Sequence, residues 1–278
     1  MAILANMRGS APDFIESLAR GLDALRAFDS SKRVLTLSEV ATRTGLARPT
    51  ARRILVTLDE LGYVRGSDGG FELTAKVLDL GMAYISSSSV WDVAHPHLVE
   101  LVKNVHESCS IAQLDGSDIV YVARVAVPKL VTLSVTIGTR FPALQTSLGK
   151  VLLAGLPEAE LKRTLAIPSL SPVKPAWQPD DAEIAAALRE VRARGWAATD
   201  QQLAPAIRSV AAPVRGSDGQ VVAAMNVNAH AMETSMETLI DEVLPRLLVA
   251  ASAFSDDWAR WEGRPLDVVD LTQAGGAR

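Results

Sequence analysis

The sequence predicts an α+β chain of two domains: a small helical domain closed by a β-hairpin, then a larger domain mixing strands and helices. Three observations carry this. The chain has 278 residues, more than the ~100–150 of one typical domain. Apolar residues make up 48% of it, enough for two cores. The apolar period is helical in the first hundred residues and changes to two from Ser110.

Along the first domain, Ile15, Leu18, Leu22, Leu25 and Phe28 recur at helical spacing. Ser38 suits the cap of a short helix running to Thr44 and stopped by Gly45. Pro49 then sits where a helix begins and Gly62 just past its end. Ala51, Ile54, Leu55, Leu58 and Leu61 form one apolar stripe of that helix. Tyr63–Arg65 and Phe71–Leu73 flank a Gly/Asp turn and read as a hairpin. A helical stretch from Ala75 to Ile85 meets the serines 86–89, where a hinge is expected.

The second domain opens with a helix through Trp91, Leu98 and Val105, which Pro96 is expected to interrupt near its start. Residues 111–114, 119–127 and 130–135 read as a meander of strands. Helices follow over 147–155 and 157–166. Next come a proline-rich loop and a helix over 180–194 stopped by Gly195. Ile207–Val214 and Val221–Val227 are strands joined by a Gly/Asp turn. A last, mostly helical stretch spans 232–261, with Pro245 expected to kink or interrupt it. The predicted division is a helical domain closed by the hairpin over 12–74, a linker helix and hinge over 75–90, a second domain over 91–262, and a flexible tail over 263–278.

Composition excludes several classes. No segment offers the ~18 consecutive apolar residues of a membrane span, and the opening eight residues are too short an apolar stretch for a signal peptide. One cysteine, Cys109, rules out an intrachain disulfide. These features together predict a cytoplasmic protein with no membrane partner. The net charge of −4 disfavours a generic polyanion binder. Charge placement says more. Between Val40 and Gly66, Arg43, Arg48, Arg52, Arg53 and Arg65 face only Asp59 and Glu60.

That local excess falls on an element built for a DNA major groove, which admits one helix with an apolar side packed on its domain. The N-terminal residues of such a helix reach the bases; here they are Arg48, Pro49, Thr50, Arg52 and Arg53. Arg65, on the hairpin, suits a phosphate or minor-groove contact. An ordinary amphipathic surface helix has the same stripe. The order of helix, capped helix, short turn, basic helix and hairpin is what favours DNA.

The stretch LSEVATRTGLARPTARRILVTLDELGYV resembles the DNA-binding domain of IclR-type regulators. GTRFPALQTSLGKVLLAGLP and RARGWAATDQQLAPAIRSVAAPVRGSDGQVVAAMNVNA resemble the effector-binding domain of the same family. IRSVAAPV and MNVNAHAMETS are most similar to the aromatic-catabolism branch of the PcaR, PcaU and PobR type. The resemblance implies a winged helix-turn-helix followed by a GAF-like effector domain with an antiparallel sheet flanked by helices. It also implies homodimers, often paired into tetramers, that bind a double-stranded operator. The implied effectors are small organic acids such as protocatechuate, 4-hydroxybenzoate or β-ketoadipate.

Thr146 and Ser147 precede Leu148, Gly149 and an apolar run, which reads as a helix N-terminus. Free amides and the helix dipole there favour an anion, though the same residues suit a plain cap with no ligand. In the resembled family this turn supplies pocket amides, at Ser147 and Leu148 here. Further family pocket positions fall on Ser209, Asn226 and Asn228, with an acidic position at Thr199 or Asp200. Asparagine both donates and accepts, so Asn226 and Asn228, on one side of a strand, suit a hydroxyl as well as a carboxylate. Arg140, Gln145 and Arg208 are further candidates, although Arg208 should point away from Ser209.

Other chemistry is set aside. Ser147-Leu-Gly-Lys150 matches the Ser-x-x-Lys of serine acyl-enzymes but lacks its partner motifs, and it lacks the glycine spacing of a phosphate loop. His95, His97 and His106 are too sparse for a metal site. Cys109 reads as a small inert thiol. No catalytic constellation, metal site or cofactor is expected. Two readings compete with an effector-controlled regulator: a DNA-binding protein whose second domain only oligomerises, and an enzyme acting on a small acid.

Overall fold

The computed structural model describes residues 12–29, 32–87, 90–128 and 135–262. Ser88, Ser89, all but Val135 of the expected 130–135 strand, and the tail from Gly263 lie outside them. The chain divides into two compact units, Met1–Ser88 and Ser89–Arg278.

In the first unit, helices α1 (Glu16–Arg26), α2 (Leu37–Thr44) and α3 (Arg48–Glu60) precede a hairpin of β1 (Val64–Ser67) and β2 (Gly70–Leu73). A 3₁₀ turn, Ala75–Val77, leads into α4 (Leu78–Ser87). The core gathers Ala24, Leu35, Val40, Leu55, Leu58 and Val64. The cap of α2 is Thr36, not Ser38. Its hydroxyl accepts from the Glu39 amide at 3.3 Å while Glu39 accepts from the Thr36 amide at 2.8 Å, a reciprocal box that Ser38 has no partner to form. The helix stops at Gly45 in a left-handed conformation. The hairpin is tied to the segment before α2 by paired backbone bonds between Leu35 and Phe71, at 2.8 and 2.9 Å. Gly70 permits that approach: with φ of +134°, a Cβ there would sit 2.4 Å from the Leu35 carbonyl oxygen.

The second unit is built on a six-stranded antiparallel sheet. Its strands are β3 (Ser108–Asp115), β4 (Asp118–Val125), β5 (Arg140–Pro142), β6 (Ala197–Asp200), β7 (Ile207–Arg215) and β8 (Val221–His230). They run in the order β5-β4-β3-β8-β7-β6. The short strands β5 and β6 were not expected from the sequence, because three or four residues show no readable alternation. One face carries Cys109, Ile111, Val210, Ala212, Met225 and Val227 and packs against α5 (Val90–Val105) and the closing helix. The other carries Ala112, Tyr121, Ala211 and Ala224 and packs against α6 (Ser147–Gly155). Beyond α6 lie α7 (Glu158–Leu165) and α8 (Asp181–Arg194). Helix α8 is started by an Asp180–Glu183 box and stopped by Gly195.

The expectation for Pro96 is corrected. Helix α5 runs through Pro96 without a break. So near the N-terminus the ring forfeits a single ladder bond, and the burial of Ala94, Leu98 and Leu101 against the sheet offsets that loss. At Pro245 the closing helical segment is interrupted, as expected. A π-helical turn over Leu239–Val243 widens the backbone just ahead of the ring, and α9 (Leu244–Glu262) follows directly.

Candidate functional site

The α6 face of the sheet is apolar at one end and polar at the other. Strand register sets this out in rows. Thr199, Ser209, Asn228 and Ser108 lie side by side on β6, β7, β8 and β3. The next row carries Ala197, Ala211, Asn226, Ser110 and Arg124. The row after that is Ala224, Ala112 and Tyr121. Ser110, Asn226, Ser209 and Thr199 are all buried, so this belt is not the solvated face that Asn226 and Asn228 alone would allow. Helix α6 lies over the apolar rows and leaves the polar ones to floor a cavity.

The cavity is lined by Tyr121, Phe141 and Leu203 on its apolar side and by Arg124, Gln145, Thr146, Thr199, Ser209, Asn226 and Asn228 on its polar side, with Glu107 and His230 at the edge of the floor. It offers about 60 Å³ to the centres of water-sized spheres, several times the ~10–15 Å³ that one water needs. The rings of Tyr121 and Phe141 meet edge to face at 5.9 Å. Burial pushes the Tyr121 phenol up to about 12, which leaves it a neutral donor.

At the α6 N-terminus, the Thr146 hydroxyl accepts from the Gly149 amide at 2.9 Å. The amides of Ser147 and Leu148 stand ahead of the helical ladder. The Ser147 and Ser209 hydroxyl oxygens are 2.7 Å apart, and Ser209 is 2.8 Å from the Thr199 hydroxyl. The Asn226 amide donates to the Asn228 carbonyl oxygen at 3.1 Å, while Asn226 Oδ1 is buried without a partner. Further along α6, Lys150 donates to Gln202 at 2.6 Å and lies 4.6 Å from the Trp177 ring centroid. Ser147 and Lys150 thus turn to different partners, which removes the Ser-x-x-Lys reading.

The predicted positions sort as follows. Thr146, Thr199, Ser209, Asn226 and Asn228 line the cavity, and Ser147 bonds to its wall. The Leu148 side chain packs into the α6 core, leaving only its amide toward the turn. Of the pair left open, Thr199 faces inward. Asp200 is exposed and holds Arg208 at 2.8 Å, so it contributes no side chain here. Arg140 pairs with Asp115 and Asp118 instead of entering the cavity. His97 bonds Asp257 at 2.6 Å between α5 and α9, and no cluster of metal-ligating side chains occurs among the described residues. Cys109 is fully buried on the opposite face, and burial pushes its thiol up.

In the first unit, Ala51, Leu55 and Leu58 bury one side of α3, and Arg48, Pro49, Arg52 and Arg53 are exposed on the rest; Thr50 is half-buried. Arg43 is turned away to Asp29 and the Ala27 carbonyl. Arg65 stands on β1, 3.8 Å from Glu72. Among the described residues, Arg48, Arg52 and Arg53 form no ion pair.

Residues 17–68 match the IclR helix-turn-helix domain, and residues 82–256 match the C-terminal domain of the bacterial transcriptional regulator IclR. The chain belongs to the IclR family. It is 39% identical over 241 residues to the Pca regulon regulatory protein of Pseudomonas putida, covering 86% of this chain and 83% of that one. A transcriptional regulator from Rhodococcus sp. RHA1 superimposes with a TM-score of 0.75 at 47% identity, covering 89% of this chain and all of the other. The inducer-binding domain of a double mutant of the PobR transcription factor from Acinetobacter, in complex with 3-hydroxybenzoic acid, is 28% identical with a TM-score of 0.54; it covers 59% of this chain and 96% of that domain.

In this IclR-family chain the cavity residues missed by sequence reading include Ser108, Tyr121, Arg124, Phe141 and Leu203. Tyr121 and Arg124 are three apart on one strand, and strict alternation would put them on opposite faces. An irregularity between Ile111 and Ala112 leaves Val122 as an extra residue on β4. Val122 and Ala123 then both turn to the α5 side, and Tyr121 and Arg124 share the cavity face.

Proposed function

We propose that the protein controls transcription by binding a double-stranded operator as a homodimer or a dimer of dimers, and that a small aromatic carboxylate in the second unit alters that binding. Arg48, Pro49, Thr50, Arg52 and Arg53 enter the major groove, with Arg65 beside a phosphate. Exposed Leu18, Leu22, Leu61 and Leu80 line an apolar groove in the first unit, which suits pairing of two copies. The protein works in the cytoplasm without a cofactor.

The observation that carries the effector reading is the polar belt of buried Thr199, Ser209 and Asn226 with half-buried Asn228 under an aromatic wall. Such a set, with more polar groups than it satisfies internally, is costly unless something polar fills it. A hydroxybenzoate matches it: an aromatic ring for Tyr121 and Phe141, and oxygens for the belt. The Pca regulon protein and the PobR domain that holds 3-hydroxybenzoic acid support the aromatic branch.

Calorimetry of the full chain with 4-hydroxybenzoate, protocatechuate and β-ketoadipate tests this. Saturable binding of an aromatic acid is expected, weakened ~10-fold or more in Asn228→Ala, where one hydrogen bond to a charged or polar group is lost. A flat response across all three would replace this reading with a second unit that only oligomerises. By linkage, any bound acid that changes operator affinity must itself bind differently in the presence of operator.

A further inference from the structure

Among the described residues, Arg124 is the one arginine or lysine on the cavity wall. Its position is settled by the β4 irregularity, which aims it across Ser110 toward Asn226 in the same row. One guanidinium nitrogen donates to the Ser110 hydroxyl at 2.8 Å. Its Nε is buried and donates to nothing. Among the described residues no carboxylate pairs with it. Glu107, the acid that also lines the cavity, accepts from Thr234 at 3.0 Å. Two residues that line the same cavity, Arg124 on β4 and Asn226 on β8 with Ser110 of β3 between them, therefore each carry an orphaned polar atom, Nε and Oδ1. Arg124 is half-buried, and a guanidinium whose buried Nε has no acceptor costs stability unless an anion completes it.

We propose that Arg124 is the anchor of the effector's acid group, holding a carboxylate through its unpaired edge, with the Asn226–Asn228 and Ser209–Thr199 hydrogen-bonding groups reading a second polar substituent toward β6. This rests on the effector reading above and deepens it. It transfers the ion pair from the α6 N-terminus to the sheet. The α6 turn offers only the partial charge of a helix end, and its Ser147 and Thr146 hydroxyls are already engaged. A planar guanidinium fork offers a full charge with carboxylate geometry. The ligand class follows: a monocarboxylate whose second polar group, a hydroxyl or carbonyl, lies across a ring or short chain from the acid. Burial also pulls the Arg124 guanidinium below its ordinary value, in the direction that a bound anion would reverse.

The test compares 4-hydroxybenzoate with 4-hydroxybenzamide, equal in shape but uncharged, on the full chain by calorimetry. The wild-type protein should prefer the acid by ~30-fold or more, the scale of one buried charged pair. In Arg124→Met the acid should weaken to the level of the amide, with the amide little changed. In Arg124→Lys, which keeps the charge without the fork, a reduced preference for the acid should survive. Without ligand, Arg124→Met should melt about 2–4 °C higher, since an unpaired, half-buried charge is gone; a structural arginine would move Tm the other way. An Arg124→Met protein that still prefers acid over amide overturns the anchor while leaving the effector reading intact. A wild-type protein that binds no carboxylate in the wider panel overturns both.

Discussion

Ser209 on β7 stands between two other hydroxyls, and its Oγ lies 2.7 Å from that of Ser147, the first residue of α6. With Thr199 at 2.8 Å on its other side, it stitches the sheet to the helix that roofs the cavity. All three groups are buried. Ser209→Ala should therefore cost about 1–3 kcal/mol, because it strips a partner from two buried hydroxyls at once. The triple variant Ser147→Ala, Thr199→Val, Ser209→Ala should cost less than three such losses, since no orphan remains. Urea unfolding of both variants checks this. A single variant as stable as the wild type would mean that the hydroxyls find other partners.

Gly149 follows two residues later. A Cβ there would fall 2.0 Å from the Ala143 carbonyl oxygen, which is backbone and has no room to yield. Gly149→Ala should lift the N-terminus of α6 off its seat, cost at least about 1–3 kcal/mol, and lower Tm by several degrees. Acid binding should weaken with it, while operator binding through the first unit persists. Calorimetric melting with and without 4-hydroxybenzoate reads both effects, and an unchanged Tm would contradict the close approach.

The positions of these two serines differ in how far sequence exposes them. Ser147 is legible because Thr-Ser-x-Gly before an apolar run marks a helix start. Ser209, Asn226 and Asn228 are legible as polar residues at even spacing inside otherwise apolar strands. Arg124 is not, because an extra residue on β4 breaks the alternation on which such reading depends. Thr199 stayed ambiguous with Asp200 until the β6–β7 register put it opposite Ser209. Thr36 is legible as well, because Thr36 with Glu39 three residues on is the capping-box pattern, whereas Ser38 is a cap candidate by residue type alone.

Lys150 gives a pH-dependent signature. Burial, and then the charge of Arg194, pull its ammonium down from 10.5 to about 8. Below about 8 it is charged folded and unfolded alike, and the folded state bears the full burial cost. Between about 8 and 10.5 the unfolded chain holds the proton and the folded chain does not, so this term raises stability as pH rises. Lys150→Met lacks it. The stability of the wild type minus that of Lys150→Met should climb between pH 8 and 10, measured by urea unfolding at matched ionic strength. A difference that stays level or falls over that window would show Lys150 to be ordinarily basic.

Arg52 and Arg53 lie exposed on α3, opposite or beside the buried Ala51, Leu55 and Leu58, and form no ion pair among the described residues. Arg65 on the hairpin is held loosely by Glu72 at 3.8 Å. Phosphate contacts strengthen binding to every DNA sequence alike and set the salt slope; base contacts set discrimination. If Arg65 meets a phosphate, Arg65→Ala should weaken specific and nonspecific DNA about equally and reduce the log–log salt slope by ~1 per copy. If Arg52 or Arg53 reads a base edge, its alanine variant should cost about 1–3 kcal/mol on the operator and far less on random DNA. Fluorescence anisotropy on a fragment of the protein's own promoter and on a scrambled duplex, across a salt series, separates the two. Substitutions in α3 that left operator affinity and salt slope untouched would remove α3 from the interface, because no other exposed face of the first unit described here carries three cations free of ion pairs.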